Sequence, residues 1–332
     1  MNYNLKDYKV LKTVDISKWN PDIYFSYEWI DFLKKSLNVD PFVIEISDGN
    51  KIIGYFVGAV FKKFGVKIVG SPFRGWDTPY MGLLIDDGYS RIEIINDIWI
   101  FCKKNFKCLY MEVCDRNVVI EELKNTKIKY IVERTYSLDI TKSEEDLLNS
   151  FTKHCRKDLR LFVNRGASIK KVECTQKFID EFYQTLIDVF KVQNLNPPYS
   201  KQKLEILFNS IKDDNMLCLE TYNPDGKCIG RSVSFGFMDY CYAFASGTDR
   251  NENYNQKNFL RWEAIRYWKS KGKKHYDLMG VRKYKLEFNP KEEEFYRLIF
   301  TKYKMLLWGR NIAQKLYWKL NKIKFSLKKR ND

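Results

Sequence analysis

Three basic side chains near the middle of the chain have the spacing of a phosphate-binding surface. Arg156, Lys157 and Arg160 occur within CRKDLRLFVNRG, and a helix would place them about one turn apart on the same side. Charged donors arranged in this way can hold a phosphate group through several hydrogen bonds. The alternative is a solvated basic face with no ligand. The sequence therefore predicts a phosphate clamp and leaves this alternative open.

A second group of polar residues, in the last third of the chain, has types that could take part in catalysis. Asp277 precedes Gly280 in a predicted strand, where it could orient a ligand or a base, or fix the local backbone. Tyr254 could donate a hydrogen bond to a leaving group, or be an ordinary member of a tyrosine-rich chain. Such groups can move a proton or stabilise a developing negative charge.

Composition limits the class of protein. The 332 residues predict two domains, and a hydrophobic content of 45% is enough for large cores. The chain has only two histidines, and its eight cysteines form no C-x-x-C pair. The sequence therefore predicts no metal site and no Ser/His/Asp triad. The N-terminal residues lack the apolar region of a signal peptide, and no apolar run approaches about 20 residues. We therefore predict a cytoplasmic protein with reduced cysteines.

Positive charge is concentrated at the C-terminal end. The net charge is +16, and residues 301–332 contain ten Lys or Arg residues against one acidic residue. Apolar residues at helical spacing within this segment predict a basic amphipathic helix. Such a helix could bind an anionic membrane at the inner face of the cell membrane, or a phosphate-rich partner. Docking of the helix onto its own domain is the alternative.

The pattern of predicted elements repeats along the chain. In each half, a helix is followed by a strand meander, a second helix and a strand, which predicts a mixed α/β fold. Ser26 is the predicted cap of the first helix. Thr141 and Glu144 form a predicted capping box that opens one continuous helix ending near Gly166.

Two motifs of the second half resemble the FemAB-like branch of the GNAT acyltransferase superfamily. CRKDLRLFVNRGASI is similar to an R-x-x-[IL]-R-x-x-x-x-x-G helix of that family. The stretch from YAFASGTDR to KHYDLMGV is similar to its strand, helix and G-x-x-x-Y-D-x-x-G strand. FSYEWIDFL and MGLLIDDG extend the resemblance into the first half, so that it covers most of residues 20–310.

The resemblance implies two tandem GNAT-like domains, each a mixed and mostly antiparallel sheet flanked by helices. The domains would be an acceptor-side domain at 1–140 and a donor-side domain at 141–300, followed by the basic C-terminal helix at 301–332. The implied activity is transfer of an acyl or aminoacyl group to an amine or hydroxyl of a cell-envelope or sugar precursor. The implied co-substrate is acyl-CoA or aminoacyl-tRNA, with no tightly bound cofactor.

The precursor would be a nucleotide- or lipid-linked sugar or peptide of peptidoglycan or polysaccharide synthesis. The segment from Glu252 to Asn258 has no glycine-rich phosphate loop, which argues against an ordinary acetyl-CoA enzyme, but Lys257 and Asn258 could still contact a phosphate. The alternative function, prompted by the charge and the aromatic content, is non-enzymatic binding of nucleic acid or an anionic membrane.

The stretch VGSPFRGWDTPYMGLLID also acquires an expected role from the resemblance. The equivalent loop in FemAB-like proteins faces the cleft and helps to bind the acceptor, whereas the alternative is a packed surface loop. Asp86 matches an aspartate for which a base role has been proposed, and Lys304, or else Lys302, would stabilise developing charge. The implied acceptor contacts are Arg74, Trp76, Asp77 and Tyr80.

Overall fold

The protein, seen here in a computed structural model, is built around one mixed sheet. The structure describes residues 1–63, 65–192 and 195–303. The strands are β1 (Asn2–Asp7), β2 (Asp40–Asp48), β3 (Lys51–Lys63), β4 (Val66–Ser71), β5 (Gly82–Ile85), β6 (Tyr110–Asp115), β7 (Lys129–Asp139), β8 (Ser168–Val172), β9 (Met216–Tyr222), β10 (Cys228–Phe237), β11 (Tyr240–Thr248), β12 (His275–Asp277) and β13 (Lys291–Thr301). The α-helices of the described residues are α1 (Tyr27–Leu37), α2 (Arg91–Phe106), α3 (Ile120–Lys124), α4 (Glu144–Ser150), α5 (Lys153–Asn164), α6 (Gln176–Val192), α7 (Lys201–Ser210) and α8 (Gln256–Ser270).

Two parallel strand pairs mark the architecture of the sheet. The strand order is β1-β2-β3-β4-β6-β13-β7-β12-β11-β10-β9-β8, with β5 paired to β3. The strand pairs are antiparallel apart from β4 with β6 and β11 with β12. Parallel strands need a crossover connection, and helices α2 and α8 lie in the two crossovers. The predicted mixed α/β fold, with one such unit in each half, is confirmed.

The last described strand joins the two halves of the sheet. β13 lies between β6 and β7 and pairs antiparallel with both. On its other side, β7 pairs with β12 of the second half. Strands from the two sides of residue 140 therefore alternate at the centre of the sheet, and the division into domains at that residue stays a prediction. β13 is absent from the predicted elements, and its first half is acidic.

The two halves also share a hydrophobic core. Ser26 caps α1 as predicted, because its Oγ accepts a hydrogen bond from the backbone N–H of Trp29. Trp29 is buried, and its ring lies 5.8 Å from that of Phe235 on β10. Tyr24, just before α1, packs 5.0 Å from Tyr242 on β11. The entry helix of the first half is thus anchored on the sheet of the second.

The predicted continuous helix between residues 144 and 166 is wrong. Ser143, not Thr141, caps α4, and its Oγ accepts from the N–H of Asp146 at 3.0 Å. The helix stops at Phe151, whose backbone is extended, and a second helix, α5, starts after Thr152. The Thr152 hydroxyl accepts from the first turn of α5, so a second cap interrupts a pattern that looked uniform.

No helix in the described part of the chain is both long and apolar enough to cross a membrane. The predicted amphipathic helix at 301–332 lies outside the described residues apart from 301–303, so its membrane contact stays a prediction. The predicted catalytic Lys304 also lies outside them.

Candidate active site

A cleft opens where β11 and β12 separate. The two strands pair from Tyr240 and His275 to Tyr242 and Asp277, after which β12 ends while β11 continues to Thr248. A cavity of about 540 Å³ lies beside this point of divergence. Its walls are formed by β10, β11, α6, α8 and the segment that follows β12. The second half thus contains a ligand-sized space between two splayed strands.

Four cationic side chains line one part of the cavity. Lys257 and Arg261 belong to the first turns of α8, while Arg282 and Lys285 belong to the segment after β12. The Lys285 Nζ donates to the carbonyl oxygen of Met279 at 2.6 Å, and it also donates to the next carbonyl along the chain. This convergence of positive charge suits a phosphate or another anion.

Arg261 is a cation without a full set of partners. Its side chain is buried, with the residue 9% exposed, and its Nη1 has no hydrogen-bond partner among the described residues. The guanidinium lies 5.5 Å from the Tyr284 ring and 5.4 Å from the Phe288 ring. Buried donors are nearly always satisfied in folded proteins, so this group points to a ligand that supplies the acceptor.

Burial makes the two lysines unusually easy to deprotonate. Burial, with a smaller contribution from Arg261, lowers the pKa of Lys257 to about 8 and that of Lys285 to about 8. The Lys257 Nζ lies 3.4 Å from the centre of the Tyr284 ring. Both lysines still carry their charge at neutral pH, and an anionic ligand would repay part of the cost of burying it.

The N-terminus of α8 adds to this positive site. Asn255 adopts the left-handed conformation and its side chain caps no N–H group of the helix, and the first turn contains no acidic residue. Helix N-termini in this state bind anions through their free N–H groups and the helix dipole. The predicted phosphate contact at Lys257 stays a prediction that this geometry favours.

Apolar side chains line the rest of the cavity. They come from both walls of the cavity and would keep water away from a group bound between them. These residues include Leu186, Phe190, Val233, Phe244, Ala264 and Leu278.

Asp277 and Tyr80, predicted separately, are in contact. The Tyr80 Oη donates to Asp277 Oδ2 at 2.8 Å, while Thr135 Oγ1 and the backbone N–H of Met279 donate to Oδ1, both at 2.6 Å. Burial raises the pKa of Asp277. Met279 has a φ of +61°, a strained value for a side chain other than glycine. The carboxylate therefore holds the turn whose carbonyls bind Lys285.

A partly buried arginine that no sequence pattern indicated extends this network. Arg116 contacts the Tyr80 Oη at 3.3 Å, Asp22 Oδ1 at 3.1 Å and Glu293 Oε2 at 3.3 Å. The Tyr242 hydroxyl also donates to Asp22. These groups come from distant parts of the chain, and no local spacing indicates them.

The other predicted acceptor residues lie in the loop between β4 and β5. The backbone N–H of Arg74 donates to Glu112, and its side chain is half exposed. The Trp76 ring packs 5.7 Å from that of Phe61. Asp77 forms an ion pair with Lys203, although burial raises the pKa of its carboxyl. Of the four predicted contacts, only Tyr80 belongs to the network around Asp277, and the acceptor roles stay predictions.

Asp86 lies at the end of β5 in a set of ion pairs. Lys18 and Lys51 approach its two oxygens at 2.9 and 3.0 Å, and Trp19 Nε1 donates at 3.0 Å. Hydrogen bonds from the two lysines lower its pKa to about 2. Such a carboxylate accepts a proton poorly near neutral pH, so the base role stays a prediction that this geometry disfavours.

The predicted phosphate clamp lies outside the residues that line the described cavity. Arg156 donates to the carbonyls of Asn149 and Phe151, at the end of α4. Lys157 and Arg160 are exposed on α5. Tyr254 lies in the loop before α8, beside a shallow depression. These site assignments stay predictions, and the structure does not bring them together with Lys257.

Asn258 is buried next to a small group of potential metal ligands. Its Nδ2 donates to Asp158 at 2.9 Å and to Glu287 at 2.7 Å. His154 Nδ1 lies 3.6 Å from an oxygen of each of these carboxylates. The three side chains could offer ligand atoms within 4.8 Å of one another. Because the amide already binds both carboxylates, the structure accounts for them without an ion.

Comparisons with known proteins agree with this architecture. The Mig-14 family model matches residues 100–217, which is less than half of the chain. No curated protein matches this chain in sequence. Among solved structures, FemX is similar with a TM-score of 0.71 and 11% identity, over 89% of this chain and 97% of FemX.

Two further structures are similar over most of the chain. A tandem GNAT protein from the clavulanic acid biosynthesis pathway matches with a TM-score of 0.53 and 8% identity, over 90% of this chain and 98% of its own. L-PGS from Bacillus licheniformis matches with a TM-score of 0.52 and 9% identity, over 78% and 85%. The predicted FemAB-like, GNAT-type fold is therefore confirmed.

Proposed function

We propose that this protein transfers an acyl or aminoacyl group from an activated, anionic donor to an amine or hydroxyl acceptor. The observation that carries the proposal is the cavity beside the splayed strands β11 and β12, lined by Lys257, Arg261 and Lys285. The similarity of the fold to FemX and to a tandem GNAT protein supports the same reaction class.

The donor is held by its phosphates. The free N–H groups at the start of α8 and the buried Arg261 bind the phosphate groups of acyl-CoA or of a tRNA 3′ end. The group to be transferred then extends between β11 and the segment after β12, along the apolar part of the cavity. This arrangement orients the reactive carbonyl before the acceptor arrives.

The chemistry follows from the edge of β11. Beyond Tyr242 the edge that faced β12 has no strand partner within the described part of the chain, so backbone N–H groups there can stabilise the oxyanion of a tetrahedral intermediate. Lys285 is fixed by two carbonyls and retains a third N–H for the developing charge. Asp277 acts as a positioning residue, because it holds the turn that carries these carbonyls.

The acceptor approaches from the first half. Tyr80, in the loop between β4 and β5, links that loop to Asp277. A sugar or peptide precursor of the cell envelope, carried on a nucleotide or a lipid, suits the stacking and charged side chains of Arg74 and Trp76 in this loop.

Mass spectrometry of the products tests the proposal. Purified protein is incubated with acyl-CoAs or charged tRNAs and an extract of envelope precursors. We expect a precursor to gain the mass of the acyl group, and Lys285→Met to lower kcat/KM for the donor about a hundredfold. Lys177→Met, which removes an exposed lysine of α6, is the matched control and should leave the rate unchanged.

One result would overturn the enzymatic proposal. If the protein consumes no donor and binds nucleic acid tightly, without sequence preference and with a steep dependence on salt, it is a binding protein.

A further inference from the structure

The charges that line the cleft are of one sign. Four cations line it, and its other polar side chains, such as Ser232, Ser234 and Ser246, are neutral. Among the described residues, no carboxylate belongs to the lining. The segment 304–332, outside the described residues, contains a single acidic residue, Asp332, in its sequence.

The two carboxylates nearest in sequence to the cationic segment are already bound. Asp277 accepts from Tyr80, from Thr135 and from the backbone of Met279. Glu287 accepts from Asn258. Neither has the freedom to turn towards a new cation without breaking these hydrogen bonds. A positive group that entered the cavity would therefore meet four cations, and no carboxylate among the described residues lines the cavity to receive it.

An aminoacyl group carries a positive charge that an ordinary acyl group lacks. Its ammonium is two bonds from the reacting carbonyl, so it must enter the cavity whenever the carbonyl does. Desolvating a cation beside other cations is costly unless a carboxylate or several acceptors receive it. An uncharged acyl group has no such desolvation cost, and its carbon chain can occupy the apolar part of the cavity.

We infer that the group transferred is an acyl group without an ammonium, such as an aliphatic or hydroxyacyl group, carried on a phosphorylated carrier. This inference rests on the proposed function and selects among its donors. The four cations that line one part of the cavity bind the carrier's phosphates, while the apolar walls receive the acyl chain. Because one cavity holds both parts of the donor, it accepts donors with an uncharged acyl group and rejects aminoacyl donors.

The experiment compares two matched pairs of donors, each pair differing only in the ammonium. Butyryl-CoA and β-alanyl-CoA have the same size, with a methyl group in one where the other has an ammonium. Phenyllactyl-tRNA and phenylalanyl-tRNA differ by a hydroxyl in place of the ammonium. Dissociation constants are measured at a pH of about 6.5, below the usual α-amino range, so that the amines are protonated.

We expect the uncharged member of the pair to bind at least about tenfold more tightly, on whichever carrier the protein accepts. Lys257→Met removes one of the cations, whose side chain makes no hydrogen bond with the described residues, and it should reduce this ratio by about threefold or more. Lys257→Glu should bring the ratio to one or invert it. Lys177→Met removes an exposed lysine of α6 and should leave the ratio unchanged.

The outcomes separate the inference from the proposal beneath it. Equal or tighter binding of the ammonium-bearing member overturns the inference and leaves acyl or aminoacyl transfer standing. Preference for the uncharged member that persists undiminished in Lys257→Glu also overturns it, since the preference would then arise elsewhere. Failure of every donor to bind on either carrier overturns the proposed function itself.

Discussion

The two parallel strand pairs of this protein have the same topology and different uses. In the first half, β4 and β6 pair from Ile68 and Tyr110 to Ser71 and Val113, with α2 in the crossover. In the second half, β11 and β12 form the corresponding unit around α8. The first unit is filled by its own chain, whereas the second opens into the cavity.

The chain closes the first unit with its own hydrogen bonds. The N–H of Met81 donates to Cys114 O at 2.8 Å, and the N–H of Gly82 donates to the Ser71 hydroxyl at 3.0 Å. Leu83 N–H donates to the Asp115 carboxylate. A Cβ on Gly82 would lie 2.6 Å from this carboxylate, so only glycine fits. The space that is a cavity in the second unit is filled with polypeptide here.

The two crossover helices differ in the same way at their N-termini. Ser90 caps α2, and Glu93 supplies negative charge in its first turn. Glu122 also accepts from the N–H of Ile92. The start of α8 has neither feature and carries Lys257 instead. The positive end of α2 is satisfied by its own side chains, whereas that of α8 has no side-chain cap and no acidic residue in its first turn. The same fold can therefore contain a unit with a candidate site and a unit without one.

Two buried arginines give the strongest test of this difference. Arg297 of β13 donates to the carbonyls of Pro72 and Pro79 and pairs with Glu133 at 3.1 Å, so it fixes the loop of the first unit. We expect Arg297→Met to lower the free energy of unfolding by about 3–5 kcal/mol, because it leaves buried partners uncompensated. Chemical denaturation measures this.

Arg134→Met removes an exposed ion pair of β7 and is the control, with an expected loss of less than about 1 kcal/mol. A similarly small loss for Arg297→Met would show that the stability of the first unit does not depend on these buried polar contacts.

The corresponding substitution in the second unit should affect binding instead of folding. Arg261→Met removes a buried charge whose Nη1 has no hydrogen-bond partner among the described residues. We expect the donor dissociation constant to rise about a hundredfold, while the free energy of unfolding stays the same or increases. Calorimetric titration and denaturation give the two values.

Arg266→Met, on the same helix but ion-paired to Glu144 and Glu263, should not change donor binding. A strongly destabilised Arg261→Met protein would contradict the assignment of Arg261 to the ligand.

The pH dependence of donor binding should report the lysines of the second unit. Lys257 and Lys285, each with a pKa of about 8, lose their charge as the pH rises through that value. We expect the affinity for an anionic donor to fall by about tenfold between pH 7 and pH 9.5. A Lys257→Met, Lys285→Met double variant should give a flatter profile over this range.

The same lysines set the sign of an effect on stability. Their pKa in the folded protein lies below the ordinary value of 10.5, so the unfolded chain binds more protons between about pH 8 and 10.5. Their contribution to the free energy of unfolding therefore rises with pH across that window. A profile of the unliganded protein in which the double variant and the wild type have the same slope would reject the lowered values.

The smallest expected effect concerns the cap of α2. Ser90 Oγ accepts from the N–H of Glu93 at 3.3 Å. Ser90→Ala should lower the free energy of unfolding by about 1 kcal/mol and leave donor affinity unchanged, because α2 binds no ligand in this scheme. Ser90→Thr keeps a hydroxyl and should recover most of the loss. A change in donor affinity would mean that the first unit also contributes to the site.

Much of the fold could be predicted from local patterns. The cap at Ser26 and the apolar periodicity of α1, the strand meander through β4, and helix α8 ending before Gly272 all follow from short-range rules. The break between α4 and α5 did not follow from these rules. Thr152 caps α5 only because the residue before it has an extended backbone, and the local pattern does not predict that conformation. The acidic start of β13 hid a strand that is stabilised by partners on both sides.

The candidate site divides in the same way. Asp277, Lys257 and Tyr80 could be chosen from residue type and resemblance, and the structure places them in or beside the cleft. Arg116 and Lys285 gave no signal in the sequence, and Arg261 appeared only as one position of a motif, with no role assigned to it. The sequence does not distinguish a buried arginine from a surface arginine. Only the packing around the side chain determines whether water or protein accepts its hydrogen bonds.

The sequence by itself determined the two α/β units, the cap at the start of α1, and the excess of positive charge. The first two depend on residues a few positions apart, and the charge follows from composition. The tertiary structure alone decided which unit opens, because that depends on whether a distant segment, Met81 to Leu83, fills the end of a strand pair. It also decided that cations from α8 and from the segment after β12 converge without a carboxylate among the described residues that line the cleft.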